Sequence, residues 1–130
     1  MSEPIVTAQD VRDACEGMLR KQLYAIYTKP ANGLGPVMEK IDEHLKFQIS
    51  LEEQGIMFGA GPMWTDDETE WRGEGLVIIR AKNLADAKSI AAQDPMHSSG
   101  ARVCEVRPWL ICEGSVTIKL SHSKSSYEIL

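Results

Sequence analysis

A helix cannot run past Asp94. Pro95 disfavours helical backbone at the residue before it, so the helical pattern NLADAKSIAAQD has to stop there and hand over, through MHSSGA, to a strand starting at Arg102. This stop sets an acid at a helix terminus beside the sheet. Carboxylates are favoured at helix N-termini and disfavoured at C-termini, where the macrodipole is negative. Asp94 therefore needs a cationic or donor partner, unless it is solvated. His44 is the candidate partner.

The whole chain, 130 residues, is of single-domain size and long enough to bury a core without staples. Its net charge of -5 argues against nucleic acid or an anionic membrane surface as the main partner. No apolar run approaches the roughly 20 residues of a membrane span, and MSEPIVTAQD lacks the basic-then-apolar pattern of a secretory signal. Cys15, Cys104 and Cys112 are an odd set without CxxC spacing. Together these features point to reduced thiols and a cytoplasmic protein.

Residues 1 to about 6 read as loose. Thr7 then opens a short helix, with Asp10 placed for a capping box and Val11, Cys15, Met18 and Leu19 at helical spacing. Gln22–Thr28 is aromatic and β-branched, hence a strand. The ANGLGP loop is too irregular for a phosphate-binding fingerprint, and its glycines suit turns. From Pro36 a helix runs to Gly55, its stripe formed by Met38, Ile41, Leu45 and Ile49 and widened by Val37 and Leu51. His44 falls at the border of that apolar arc. Ile56–Ala60 is a strand closed by Gly61-Pro62, followed by a polar connection through Trp64 and Trp71. Gly75–Ala81 is a strand, Asn83 caps the next helix, and Arg102–Cys112 is the fourth strand. Ser115–Leu120 is a possible fifth, edge strand. These boundaries give an N-terminal extension over 1–21, a core domain over 22–120, and a serine-rich flexible tail over 121–130.

The order β-α-β-β-α-β is the ferredoxin-like split pattern: an α+β fold with an antiparallel sheet and both helices on one face. In the fourth strand Cys104, Val106, Leu110 and Cys112 share one face, and Val103, Glu105, Arg107, Trp109 and Ile111 the other. Cys104 and Cys112 are expected as buried free thiols on the helix side. GLVIIRA is apolar on both faces, whereas a half-solvated sheet alternates. The second face is thus expected to meet another copy, giving a dimeric α+β barrel with a cavity between its sheets.

The chain resembles the YciI-like (YCII-related) proteins. The resemblance rests on YAIYTK, His44, Gly55, Gly61-Pro62, Ala91–Pro95, Gly100 and Arg107-Pro108-Trp109, spanning Leu23 to Ile111. Met96 stands where that family commonly has an aromatic residue. The resemblance implies a small cytoplasmic dimer, similar in fold to muconolactone isomerase, with His44 and Asp94 as the active-site pair. One relative's activity is dehydrochlorination of hydroxylated chloroaromatics. Neither the N-terminal helix nor the tail inherits a role.

Neutral-pH titration suits His44 to general acid–base work, or it simply borders the core. Asp94 orients and stabilises its ring, or ends a helix before proline. Arg107 holds a substrate carboxylate or phenolate, or pairs with Glu105. Tyr24, Trp64, Trp71 and Trp109 line an aromatic pocket, or pack core and interface. The acid run Asp66, Asp67, Glu68 and Glu70 reads as a solvated loop. His97 and His122 lack HxH or HxxxH partners, so no metal is expected. The leading reading is a cofactor-free enzyme performing an elimination or isomerisation on a cyclic or aromatic-derived small molecule. The alternatives are a non-catalytic ligand-binding or accessory protein, or a stabilising subunit.

Overall fold

The computed structural model describes residues 3–130, so the looseness expected at positions 1 and 2 lies outside the described residues. Among the described residues two compact units are present, Gln22–Leu110 and a second made from the segments 3–21 and 111–130.

In the larger unit, β1 (Lys21–Pro30) leads into α2 (Leu34–Glu53), followed by β2 (Met57–Trp64), β3 (Trp71–Ile79), α3 (Leu84–Gln93), α4 (Pro95–Ser98) and β4 (Arg102–Ile111). The sheet order is β2-β3-β1-β4, with β3 antiparallel to both of its neighbours. This is the ferredoxin-like α+β fold.

α2 is finished by a Schellman turn. Gly55 takes φ +75°, its N–H donates to the Glu52 carbonyl at 3.0 Å, and the Ile56 N–H reaches back to the Leu51 carbonyl at 2.9 Å. The buried line of this helix is Val37, His44 and Leu51, one residue every two turns. Met38, Leu45 and Ile49, expected at the centre of the buried stripe, are about half exposed. The apolar arc is wider than the strip the sheet covers, so its centre is rotated toward the Val37 edge. His44 consequently sits on the buried seam, only 8% exposed, instead of at its border.

The β2–β3 hairpin extends further than the glycine and proline of β2 suggested. Pro62 pairs opposite Gly75, and pairing resumes at Trp64 and Trp71 after an irregularity. β2 is an edge strand, where proline's missing donor is tolerated. Gly73, at φ +89°, admits no side chain, since a Cβ would lie 2.6 Å from Pro30 Cγ. The connecting acid run is organised by one of its members. Asp67 Oδ1 accepts from Thr65 Oγ1 at 2.6 Å, Thr69 Oγ1 at 2.7 Å and the Thr69 N–H at 3.1 Å. These bonds hold the Asp67 carboxyl below its ordinary range.

Asn83 caps α3 through the Asp86 N–H, as its position predicted. Beyond the α3 stop, the chain adds the short α4. Asp94 ends α3 and also caps α4, with Pro95 at the first helical position and the Met96 N–H donating to Asp94 Oδ1 at 2.9 Å. The core lies between sheet and helices. Tyr24, Ile26, Val77 and Ile79 pack with Ala87 and Ala91 of α3, while Val37, Met96 and Ala101 form a second cluster. Burying each large side chain contributes about 1.5–3 kcal/mol. Along β4, Val106 packs against the first cluster, and the period-two alternation places Arg102 and Cys104 on the same side. Cys104 is nonetheless exposed, and Cys112 is half-buried, contrary to expectation. β4 is the outer strand of the sheet, so its inward positions are incompletely roofed.

In the smaller unit, α1 (Ala8–Ala14) carries the expected capping box, with Thr7 and Asp10 exchanging bonds of 3.0 Å. β5 (Ile118–Ser121) pairs with β6 (Ser126–Ile129) as a separate two-stranded sheet. The tail expected to be flexible is therefore one arm of a hairpin. Its cross-strand pairs Ile118–Ile129 and Leu120–Tyr127 supply the apolar contacts that its serine content obscured. Among the described residues, no helix is long and apolar enough to cross a membrane.

Candidate functional site

α2 delivers His44 to the seam, and the α3–α4 corner delivers Asp94 to the same place. The His44 Nδ1 atom lies 2.7 Å from Asp94 Oδ2 and 2.9 Å from Oδ1, with both residues buried. An ionised carboxylate only accepts hydrogen bonds, so Nδ1 carries the proton and donates it. The other ring nitrogen, Nε2, is then free to accept. Gln48 Nε2, one helical turn on, lies 3.4 Å from it. The Gln48 carbonyl oxygen is buried without a partner.

His44 and Gln48 line a cavity of about 440 Å³, within the range of small-molecule sites. It is also lined by Ala60, Pro62 and Trp64 of β2 and by Trp71, Gly75 and Val77 of β3. Thr28 and Arg102 contribute to the lining as well. The walls are mostly apolar, and the polar groups that converge on them are few.

Arg102 is 4% exposed and its Nε has no hydrogen-bond partner. Its guanidinium stands 5.9 Å from the Trp71 ring centre, a cation–π contact. Burial pushes its pKa below the usual guanidinium value, and the Asp94 charge pulls the other way. Arginine nonetheless stays protonated. Thr28 Oγ1 lies 2.8 Å from His97 Nε2. The His97 Nδ1–H donates to the Ala91 carbonyl at 2.7 Å, so Nε2 is left to accept from the threonine hydroxyl. Glu74, at the rim, accepts from the Tyr27 hydroxyl at 2.5 Å, which pushes that phenol's pKa up.

Of the residues picked from sequence, His44, Asp94, Trp64 and Trp71 come together here, Asp94 behind His44 and not on the cavity wall. Tyr24 is core, 6% exposed and away from the cavity. Arg107 and Trp109 stand on the opposite sheet face. Arg107 is exposed there and lies 3.6 Å from Glu105, and Trp109 is 41% exposed. Arg102, Gln48, Thr28 and His97 carried no local motif. The one signal available for Arg102 was strand alternation, which gives it the inward parity of Cys104 and Val106. Among the described residues, no cluster of three or more His, Cys, Asp or Glu is placed to hold a metal.

A ferredoxin-like α+β domain with a histidine–carboxylate pair beside a small-molecule-sized cavity is the class that this fold and site define. The chain belongs to the YCII-related domain family, whose profile matches residues 22–110, the same span as the larger unit. It is similar in structure to 5-chloro-2-hydroxyhydroquinone dehydrochlorinase (TftG) from Burkholderia phenoliruptrix AC1100, solved in complex with 2,5-dihydroxybenzoquinone. The TM-score is 0.55 at 22% identity, covering 67% of this chain and 92% of that one. At that identity the likeness establishes the fold. No curated protein sequence matches the chain.

Proposed function

We propose that this protein is a small enzyme in which His44 performs acid–base chemistry on a cyclic or aromatic-derived small molecule, with Asp94 as its orienting partner. The observation that carries this reading is the Asp94–His44 contact, which favours the tautomer with its proton on Nδ1 and leaves Nε2 as the acceptor nitrogen of a residue that lines the cavity. Nε2 takes a proton from the bound ring. The imidazolium that forms is stabilised by Asp94, as in triads where the carboxylate itself stays ionised. The released electron pair moves into the ring system. In an isomerisation that pair takes the proton back from His44 at another carbon; in a dehydrochlorination it leaves with chloride, and His44 passes its proton to water.

The relative's reaction on a chlorinated hydroxyhydroquinone supports the choice of substrate class. A non-catalytic ligand carrier is the weaker reading, because such a pocket has no use for a tautomer-locked histidine. A role in aromatic catabolism, a cytoplasmic location and a homodimer complete the proposal. Arg107 and Trp109 would then stand where the two sheets face each other. The test is chloride release from chlorinated hydroxyhydroquinones. The wild type should release chloride and His44→Gln should be slower by about 10²–10⁴-fold. Equal release by both would remove His44 from the chemistry.

A further inference from the structure

Arg102 is a buried cation whose Nε has no hydrogen-bond partner among the described residues. Among the described residues no carboxylate lies within ion-pair distance of its guanidinium, since the ion pairs present are formed by Lys40, His44, Arg72 and Arg107. Asp94, the acid whose charge reaches it, is already committed to His44 and the Met96 N–H. Removing a charge from water is costly unless it is paired and hydrogen-bonded. The face of Trp71 offsets part of that cost, but a ring face is not a hydrogen-bond acceptor for Nε. The guanidinium borders the same cavity as His44. A planar fork of donors is suited to the oxygens of a carboxylate or an ionised hydroxyl.

We propose that Arg102 is the anchor of a compact, planar, anionic ligand, a ring bearing one carboxylate or ionised hydroxyl group, which it holds with that group against the guanidinium. The ring then lies between the Trp64 and Trp71 walls and the flank of α2, with its far edge toward His44. This rests on the catalytic reading only for the identity of the ligand as substrate. The anion preference itself is a binding property and stands without turnover.

The experiment compares anions with neutral isosteres on the intact protein, by calorimetric titration. Benzoate is set against benzamide for the carboxylate form. Ionised 4-nitrophenol, above its titration range, is set against nitrobenzene for the ionised hydroxyl. At least one anion should bind about tenfold or more tightly than its neutral partner, and the pair showing the larger ratio identifies the group recognised. Arg102→Met should abolish that ratio, whereas His44→Gln should keep it. Equal affinity within both pairs for the wild type would overturn the proposal, even if Arg102→Met does not fold. So would a ratio that survives in a folded Arg102→Met. If His44→Gln binds the anion normally but turns nothing over, the anchor and the catalyst are separate roles. If the wild type shows the preference and no reaction of any kind, the catalytic reading fails and the anion site stands.

Discussion

His44 and Asp94, 50 residues apart in sequence, meet with a nitrogen–oxygen distance of 2.7 Å. Neither is held by the contact alone. His44 is one of three buried positions on α2, and Asp94 caps α4 while it closes α3. The geometry of the pair is thus fixed by two helix termini and one helix seam, and α2, which carries His44, also lines the cavity.

Asp94→Asn should keep the fold and lose the chemistry. Asparagine is as good an N-cap as aspartate, so α4 stays in place. A neutral amide no longer favours the imidazolium, and its oxygen and nitrogen no longer dictate which ring nitrogen is protonated. Turnover should fall by about 10²–10⁴-fold with an unchanged unfolding midpoint. A variant as active as the wild type would show that Asp94 is only a cap.

Met96 is fully buried in the cluster with Val37 and Ala101. Met96→Ala should cost about 2–5 kcal/mol of stability, measured by denaturant unfolding. The loss falls on the turn that presents Asp94, so activity should drop in the fraction that remains folded. A change below about 0.5 kcal/mol, the range of surface substitutions, would mean this cluster does not brace the corner.

Acid should loosen the β2–β3 hairpin through Asp67. Its carboxyl is held below the ordinary value of 3.8 by Thr65 and Thr69. A group depressed in the folded state contributes stability that is present above its unfolded value and lost as pH falls through its folded value. The gap in unfolding midpoint between wild type and Asp67→Asn should therefore be complete near neutral pH and close progressively below 3.8. A gap that stays constant through that range would rule out the charged turn.

The outer sheet face should pair with a second copy. Leu76, Val103 and Trp109 are exposed there at 36%, 50% and 41%. A stable dimer of this type buries about 2,000 Å² or more in total. Sedimentation at micromolar concentration should give a dimer, and Val103→Lys or Trp109→Glu should shift it toward monomer. A wild-type monomer under those conditions contradicts the pairing.

Much of this was legible in local patterns. Thr7, Asn83 and Gly55 announce helix ends by their own chemistry, and the alternation of β4 separates its two faces. The His44–Asp94 meeting followed from the layer order, once both helices were placed on one side of the sheet. The guanidinium at the cavity was harder to find. Arg102 and Arg107 lie on the same strand with opposite parity, and the choice between them depends on where the cavity lies. A cavity between two sheets would favour Arg107. The cavity of the single chain lies under α2 on the helix side, where Arg102 points. The wider error on α2 has the same origin. Periodicity shows that an apolar arc exists, but which part of it is covered is decided by what packs there.

The most direct test of the central claim is exchange of ring protons with solvent. A cyclic 1,3-diketone carrying a hydroxyl group is incubated with the protein in deuterated water, and its acidic carbon position is followed by NMR. If His44 Nε2 takes a proton from a bound ring, the wild type should speed deuterium incorporation by at least about 100-fold over His44→Gln, with Asp94→Asn also slowed. Identical incorporation by wild type and His44→Gln, with the probe shown to be bound, would contradict the account.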